Sequence, residues 1–471
     1  MSECDLAVIG AGFAGLVAAA RAQQLGINAT ILEKQEAQSH LCNSRISSGV
    51  FSIAFHSIEL PADEQVAAIR KQTGDYGDPV LIETIAANTA RAAEWLRGEG
   101  IDLIDNTYTS VGGNVNQILA PARQFAQGLD WQGRGSDVAM RKLESNFVDL
   151  GGKMVRGARV QSLLSEAGKI EGVEYTLNDK TETLKTPAVV IADGGFQANP
   201  EMLAEYVCDK PEEINLRAAA SACGDGLRMA AAVGARLTGL GPFYGHLQHR
   251  DAMSNDNLWP YPSLDAIAVA SILVNARGRR FADEGGGGIL LANVVAKLAE
   301  PLETWVVFDD DIWNLQGKSP PVAANPYLLS AGGKVYSANS LDQLCTQTGL
   351  PAETLGETVA AHNAAVGSGD LSALSPARSE DRGKAQAILT PPFYAIPVCA
   401  GITNTMGGIE VDRDARVILQ SGEPMNGLYA VGGSGGGIEG GPKAGYIGGL
   451  AKAFVTGLMA AEHAAEAASA G

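Results

Sequence analysis

The sequence predicts an α/β protein: a Rossmann-type dinucleotide-binding domain with an α+β domain inserted into it. This rests on a βαβ unit with a glycine fingerprint at the N-terminus, the loss of βαβ rhythm from Gly239, and its return after Pro391-Pro392. In the first unit the apolar run Asp5-Leu6-Ala7-Val8-Ile9 leads into Gly10-Ala11-Gly12-Phe13-Ala14-Gly15, then into an Ala-rich helical stretch, Leu16 to Gln24. A second apolar run, Ala29-Thr30-Ile31-Leu32, ends on Glu33. Gly10 permits the tight turn, Gly12 admits a pyrophosphate to the backbone, and Gly15 lets helix and strand pack closely. The helix N-terminus then faces the phosphates, and Glu33 stands where a carboxylate accepts hydrogen bonds from a ribose.

The elements that follow are read from periodicity and turn residues. Lys34 to Asn43 is polar, and Ser44-Arg45-Ile46-Ser47-Ser48-Gly49-Val50 offers small residues for close packing on a flat ligand. Pro61 to Gly98 is helical in pattern, as is Val138 to Leu150, with Ser136 or Asp137 able to cap the latter. Lys153 to Val160, Ile170 to Leu177 and Ala188 to Ile191 read as strands, the last running into Asp193-Gly194-Gly195-Phe196. Helices are expected after Asn199 and from Leu227 to Val233. Aromatics, histidines and prolines thicken between Gly239 and Pro391. Beyond, Gly401 to Thr405 and Gly427 to Val431 read as strands and Ala451 to Glu462 as a closing helix. The expected division is 1–239 and 391–471 for the dinucleotide domain and 240–390 for the insertion.

Composition bounds the function. A chain of 471 residues exceeds the size of one ordinary core. The net charge of −18 argues against nucleic acid and anionic membranes as partners. Six scattered cysteines without CxxC spacing read as reduced thiols, with no metal site. The chain enters a strand at once, without a basic leader, and no apolar stretch has the length of a membrane span, so a cytoplasmic location is expected.

Taken together, these landmarks resemble the flavoproteins of the fumarate reductase and succinate dehydrogenase superfamily, near tricarballylate dehydrogenase and 3-ketosteroid dehydrogenase. The resemblance rests on the N-terminal fingerprint, Asn43-Ser44-Arg45 with Ser48-Gly49, Asp193-Gly194-Gly195-Phe196 and Gly224-Asp225-Gly226. It continues through Asn275 to Glu284, Thr405-Met406-Gly407-Gly408 and Gly427 to Gly432. It implies FAD, held without a covalent bond, and makes the insertion a capping domain. The FAD contacts it implies are Gly10, Gly12, Ala14, Gly15, Glu33 and Lys34, then Asn43, Ser44, Ser48, Gly49 and Val160. From the second half of the chain come Asp193, Gly194, Gly432, Gly433, Gly448 and Leu450. The implied chemistry is α,β-dehydrogenation, or reduction of an enoate or enone, by hydride transfer to or from flavin N5. Its partners are a small-molecule substrate and an external electron donor or acceptor. Two alternatives remain open: a flavoprotein subunit of an electron-transfer complex, and a non-catalytic flavin-binding sensor.

The implied catalytic residues are Tyr244, His246, Arg250, Tyr261, Asn404, Lys443, Gly445 and Tyr446. His246 matches a substrate-binding histidine, and Asn404 stands where fumarate reductases have another. Lys443 replaces a carboxylate-clamping arginine with a point charge. Gly445 matches a backbone oxyanion donor, and Tyr446 is the leading acid/base. Arg279 and Arg280 are expected to hold the cap to the flavin domain. Two departures stand out. The proton-delivering arginine of fumarate reductases is replaced by Gly285-Gly286-Gly287-Gly288, and the usual glutamate after the Tyr429 strand by Gly433. The glycine run suggests a bulkier or less anionic substrate than fumarate.

Overall fold

The computed structural model describes residues 2–107, 116–123 and 129–470. Its organising element is a parallel sheet in which Leu6–Ile9 lies between Ala29–Glu33 and Val189–Ile191. Lys153–Arg156 extends it on one side, and Pro424–Ala430, from the far end of the chain, on the other. The strands Leu6–Ile9, Ala29–Glu33 and Val189–Ile191 are buried throughout, as parallel strands covered on both faces must be. An antiparallel meander of Arg159–Glu166, Lys169–Leu177 and Lys180–Lys185 continues the sheet beyond Pro424–Ala430.

Two helices cover the sheet where its ligand end opens. The helix Phe13–Gln24 is buried along its first eight residues, because alanines there admit neighbours from every side. The closing helix Gly449–Ala470 packs along it. Phe454 meets Phe13 and Phe51 edge-on at 5.0 and 5.1 Å. A Cβ on Gly457 would come within 2.8 Å of the Ala14 carbonyl, so glycine sets this approach.

The elements between follow the sequence reading closely. The long helical stretch resolves into Ala62–Thr73 and Pro79–Gly98, broken at Gly74 with φ +66°. Asn199 caps Pro200–Tyr206 by accepting from Met202 N. The helix expected from Val138 starts earlier, at Gly135, and neither Ser136 nor Asp137 caps it. Asp137 turns inward instead, to ion-pair with the buried Arg45.

A second sheet forms around one long strand, Phe393–Thr405. Phe243–His249, Thr304–Asp309 and Tyr336–Ala338 all pair with it antiparallel, and Asn215–Leu216 pairs with it parallel. This strand thus pairs with three strands from 240–390 and with one from the first 239 residues. At its end Thr405 Oγ1 accepts from Phe196 N at 3.3 Å, just beyond the strand Val189–Ile191.

A bulge decides what that strand presents. Tyr244 opposes Asn404 while Gly245 opposes Ile402, leaving Thr403 as the extra residue. Gly245 is needed here, since a Cβ would sit 2.1 Å from the Gly401 carbonyl. Thr403 and Asn404 consequently both reach the cavity described next.

Candidate active site

A long cavity of about 430 Å³ runs from Glu33, at the C-terminal end of its strand in the parallel sheet, to Tyr244 and His246 in the second sheet. Its size suits an enclosed small-molecule site. At the first end the strand Leu6–Ile9 breaks at Gly10, whose φ is +99° and whose added Cβ would lie 2.8 Å from the Ala192 carbonyl. The helix Phe13–Gln24 opens at Gly12 with no side-chain cap, so its N–H groups face the cavity. Glu33 is 5% exposed and accepts from Ala11 N and Gln35 N, both at 2.9 Å. Lys34 lines the same end and ion-pairs with Asp225 at 3.1 Å.

Of the cofactor contacts expected from the sequence, Gly10, Gly12, Ala14, Glu33, Lys34, Asn43, Ser44, Ser48 and Val160 line this cavity. So do Asp193, Gly194, Gly432, Gly433, Gly448 and Leu450. Gly15 and Gly49 stand behind the wall. Gly49 has φ +85° and packs against Ser136 and Leu119. Ser44 Oγ accepts from Phe13 N at 2.9 Å, and Asn43 braces two distant segments, donating to Thr403 O and accepting from Ala219 N. Asp193 accepts from Gly226 N at 2.7 Å and from Ser434 Oγ at 3.2 Å, and burial pushes its carboxyl up to about 6. A Cβ at Gly226 would strike that carboxylate at 2.3 Å, which accounts for the second glycine of Gly224-Asp225-Gly226.

At the other end aromatic rings close the cavity. Tyr244 and Tyr446 stack with centroids 3.9 Å apart, and Phe55, Trp259 and Tyr261 line the wall nearby. Burial holds both stacked phenols well above their ordinary pKa. Tyr446 Oη accepts from Gly449 N at 2.6 Å, at the start of the closing helix. His246 lies with Nε2 3.0 Å from Tyr244 Oη and Nδ1 2.5 Å from Asp265 Oδ2. Tyr261 carries Arg217 over its ring at 4.7 Å, and Asn404 lines the cavity with Nδ2 donating to Thr405 O at 3.4 Å.

Three expected catalytic residues lie off the cavity wall. Lys443 is more than half exposed and pairs with Asp381 at 3.3 Å. Gly445 donates its N–H to Gly440 O at 2.8 Å, which commits the expected oxyanion donor to a local turn. Arg250 lies beyond the end of Phe243–His249, donating to Leu302 O at 2.8 Å and resting on Trp305. His249, three residues from His246, falls on the opposite face of the strand, where it caps the next turn. Arg280 corrects another expectation. Its partners Ala282 O, Glu284 and Pro376 O all lie within 240–390, so it braces the insertion internally.

Sequence reasoning missed four residues of this region. Arg217 is fixed by bonds from Nε to Pro260 O and from Nη1 to Thr403 Oγ1, both 2.8 Å, in a segment without motif. Glu439 and Lys452 form a buried pair at 2.8 Å on the cavity wall. The lone carboxylate within the run Gly435 to Gly441 was a usable signal for Glu439. Asp265, behind His246, gave none.

Comparisons with known proteins agree with this geometry. Residues 5–445 match the family described as FAD binding domain. The chain is 27% identical over 475 residues to the NADH:fumarate oxidoreductase of Klebsiella pneumoniae, covering 98% of this chain and 48% of that protein. It thus spans about half the length of that relative. It is 24% identical to the vinyl phenol reductase of Lactiplantibacillus plantarum, over 98% of this chain and 96% of that one. In structure it resembles the 3-ketosteroid delta1-dehydrogenase of Sterolibacterium denitrificans, with a TM-score of 0.78, 19% identity, and 99% and 100% of the two chains covered.

Proposed function

Because the chain belongs to the FAD binding domain family, we propose that it is an oxidoreductase acting on a C–C bond beside a carbonyl or carboxylate, with a flat, ring-bearing substrate. The residues present fit the cofactor. Gly10, Gly432 and Gly448 each stand where a Cβ would meet a neighbour at 2.8, 2.7 or 2.3 Å, so backbone alone forms the cradle there. The N–H groups opening the helix Phe13–Gln24 suit the pyrophosphate, and Glu33 the ribose. A Cβ added at Gly433 would lie 3.5 Å from Gly194 Cα, so these two segments face each other at the middle of the cavity. When bound, FAD supplies or accepts the hydride.

The aromatic end of the cavity carries the substrate reading. Stacked Tyr244 and Tyr446, with Trp259, Tyr261 and Phe55, offer flat apolar surface suited to a ring. Arg217, held rigidly from two sides, can take the carbonyl or carboxylate oxygen and stabilise the charge that develops on it. Lys443, the candidate clamp for a second carboxylate, pairs with Asp381 at the surface. These features favour a substrate with one anionic or carbonyl group over a dicarboxylate, and the vinyl phenol reductase supports a ring. No described helix is long and apolar enough to cross a membrane. A cytoplasmic location and a diffusible electron partner complete the reading.

The test is anaerobic photoreduction of the flavin followed by fumarate, acrylate, vinylphenol and cyclohexenone in turn. Faster reoxidation by the ring compounds is expected. Reoxidation by none of them would remove the catalytic reading, and a clear preference for fumarate would remove the substrate class. Arg217→Ala should raise KM for the preferred substrate by roughly 10–100-fold, the loss of one charge-assisted hydrogen bond, with FAD content unchanged. An unaltered KM would take Arg217 out of the site.

A further inference from the structure

Loss of the expected proton-delivering arginine leaves a practical question, since reduction of a C=C bond needs a proton as well as a hydride. The glycine run that replaces that arginine lies beside the alternative. A Cβ on Gly288 would come within 2.0 Å of Asp265 Cγ, so Asp265 occupies space that only glycine leaves open. Asp265 uses it fully: Oδ1 accepts from Leu247 N at 2.9 Å, and Oδ2 meets His246 Nδ1 at 2.5 Å. The other ring nitrogen of His246 lies 3.0 Å from Tyr244 Oη, and both His246 and Tyr244 line the cavity. Carboxylate, imidazole and phenol therefore form one hydrogen-bonded line that ends in the substrate region.

We propose that Tyr244 is the acid/base that exchanges a proton with the substrate carbon, and that His246 and Asp265 are positioning residues that recharge it. This rests on the reading of the site as one for C–C oxidoreduction. In the reducing direction His246 is the imidazolium, with Nδ1–H on Asp265 and Nε2–H on Tyr244 Oη, which turns the phenol O–H towards the substrate. The hydride delivered to one carbon breaks the C=C π bond and leaves an electron pair on its neighbour, delocalised onto the carbonyl oxygen. That pair takes the Tyr244 proton as the O–H bond breaks. The phenolate oxygen takes the Nε2 proton, and neutral His246 regains one from solvent. Dehydrogenation runs the same transfers backwards and starts from neutral His246.

Burial favours the protonated phenol of Tyr244, so a bare phenolate needs the imidazole beside it. Tyr446 is the weaker candidate, because its oxygen meets a backbone N–H, from Gly449, which cannot return a proton as the His246 ring can to Tyr244. The groups facing this line are few. Asp265 comes from the helix Asp265–Ala270, and Tyr446 from the turn before the closing helix. Arg217, Tyr261 and Glu439 act on Tyr244 through their charge. The strand opposite presents Gly401 and Asn404, and the helix Gly288–Ala296 has no titratable side chain.

The Asp265 carboxylate, 2.5 Å from His246 Nδ1, favours the imidazolium over the neutral ring. Reduction, which starts from the imidazolium, should therefore fall as pH rises, and dehydrogenation, which starts from the neutral ring, should rise. Both limbs should move to lower pH in Asp265→Asn.

The experiment has two arms. The first is an NMR titration of the histidine ring nitrogens in the FAD-loaded protein, which has six histidines, with His246 assigned from His246→Gln. A lower His246 midpoint in Asp265→Asn is expected, and an unmoved midpoint would overturn the positioning role. The second is turnover of the best substrate of the panel above against pH, with flavin content verifying the fold. Tyr244→Phe should lose about 10²–10⁴-fold in kcat with little change in KM. A Tyr244→Phe enzyme with its kcat intact, or a larger loss in Tyr446→Phe, would overturn the assignment of Tyr244. If the wild-type protein turns over no substrate, the functional reading fails while the titration still decides the coupling of Asp265 to His246.

Discussion

Glu284→Ala is expected to lower the unfolding free energy by about 3–5 kcal/mol, read from urea denaturation. Glu284 is fully buried and accepts from Arg280 Nε at 3.0 Å, Arg280 Nη2 at 2.5 Å and Leu273 N at 3.0 Å. Arg378 lies 3.6 Å away, also buried, and burial pulls its pKa below the ordinary arginine value. Removing the carboxylate leaves two guanidinium groups out of water with backbone carbonyls as their main partners. That residual desolvation is the cost, more than any attraction lost. Replacing all three with apolar residues of similar volume should recover most of the stability, since the charges then vanish together. A Glu284→Ala protein within about 1 kcal/mol of the parent would show that water or a shifted side chain compensates.

The parts of this molecule legible in sequence are those governed by local geometry. Gly10, Gly12 and Gly15 could be assigned separate roles because a turn, a phosphate approach and a helix contact each restrict the residue next in line. Tyr244 and His246 were legible only through the resemblance, and the strand Phe243–His249 then brings both to the cavity wall. The glycine run after Glu284 reads in sequence only as a loss of charge. What it makes room for, Asp265, is some twenty residues upstream, and only the packed fold brings them together. Arg217 reaches the cavity the same way, through a two-residue strand beside Phe393–Thr405. Lys443 shows the reverse error. A charged residue among glycines suggested a buried turn, but the Lys443 ammonium lies at the surface beside Asp381. Charge in a glycine-rich segment marks a site only when the backbone path is known, as it was not for either Lys443 or Glu439.

Gly15→Ala should abolish stable FAD binding, with flavin lost on gel filtration and affinity reduced by at least about 100-fold, equivalent to roughly 2.7 kcal/mol. A Cβ built at Gly15 stands 2.1 Å from the Gly10 carbonyl oxygen and 3.2 Å from Ala192 Cβ. Neither neighbour can yield cheaply. The N–H of Gly10 donates to Leu32 O at 2.9 Å, and the Ala192 carbonyl stands 2.8 Å from where a Gly10 Cβ would lie. The helix Phe13–Gln24 must therefore move away from the sheet, and with it the N–H groups that face the pyrophosphate. It cannot move far, because the closing helix lies against its other side, with Gly457 near Ala14 O. Two other glycines separate this effect from ordinary glycine replacement. Gly98, in the helix Pro79–Gly98, has open space where its Cβ would go, so alanine there should stabilise by up to about 1 kcal/mol. Gly26 also has open space but φ +81°, so Gly26→Ala should cost about 1 kcal/mol from backbone strain while retaining FAD. If Gly15→Ala behaved like Gly26→Ala, with modest destabilisation and full flavin, the close approach of helix to turn would not be what positions the cofactor, and the cradle would rest on Glu33, Gly432 and Gly448 instead.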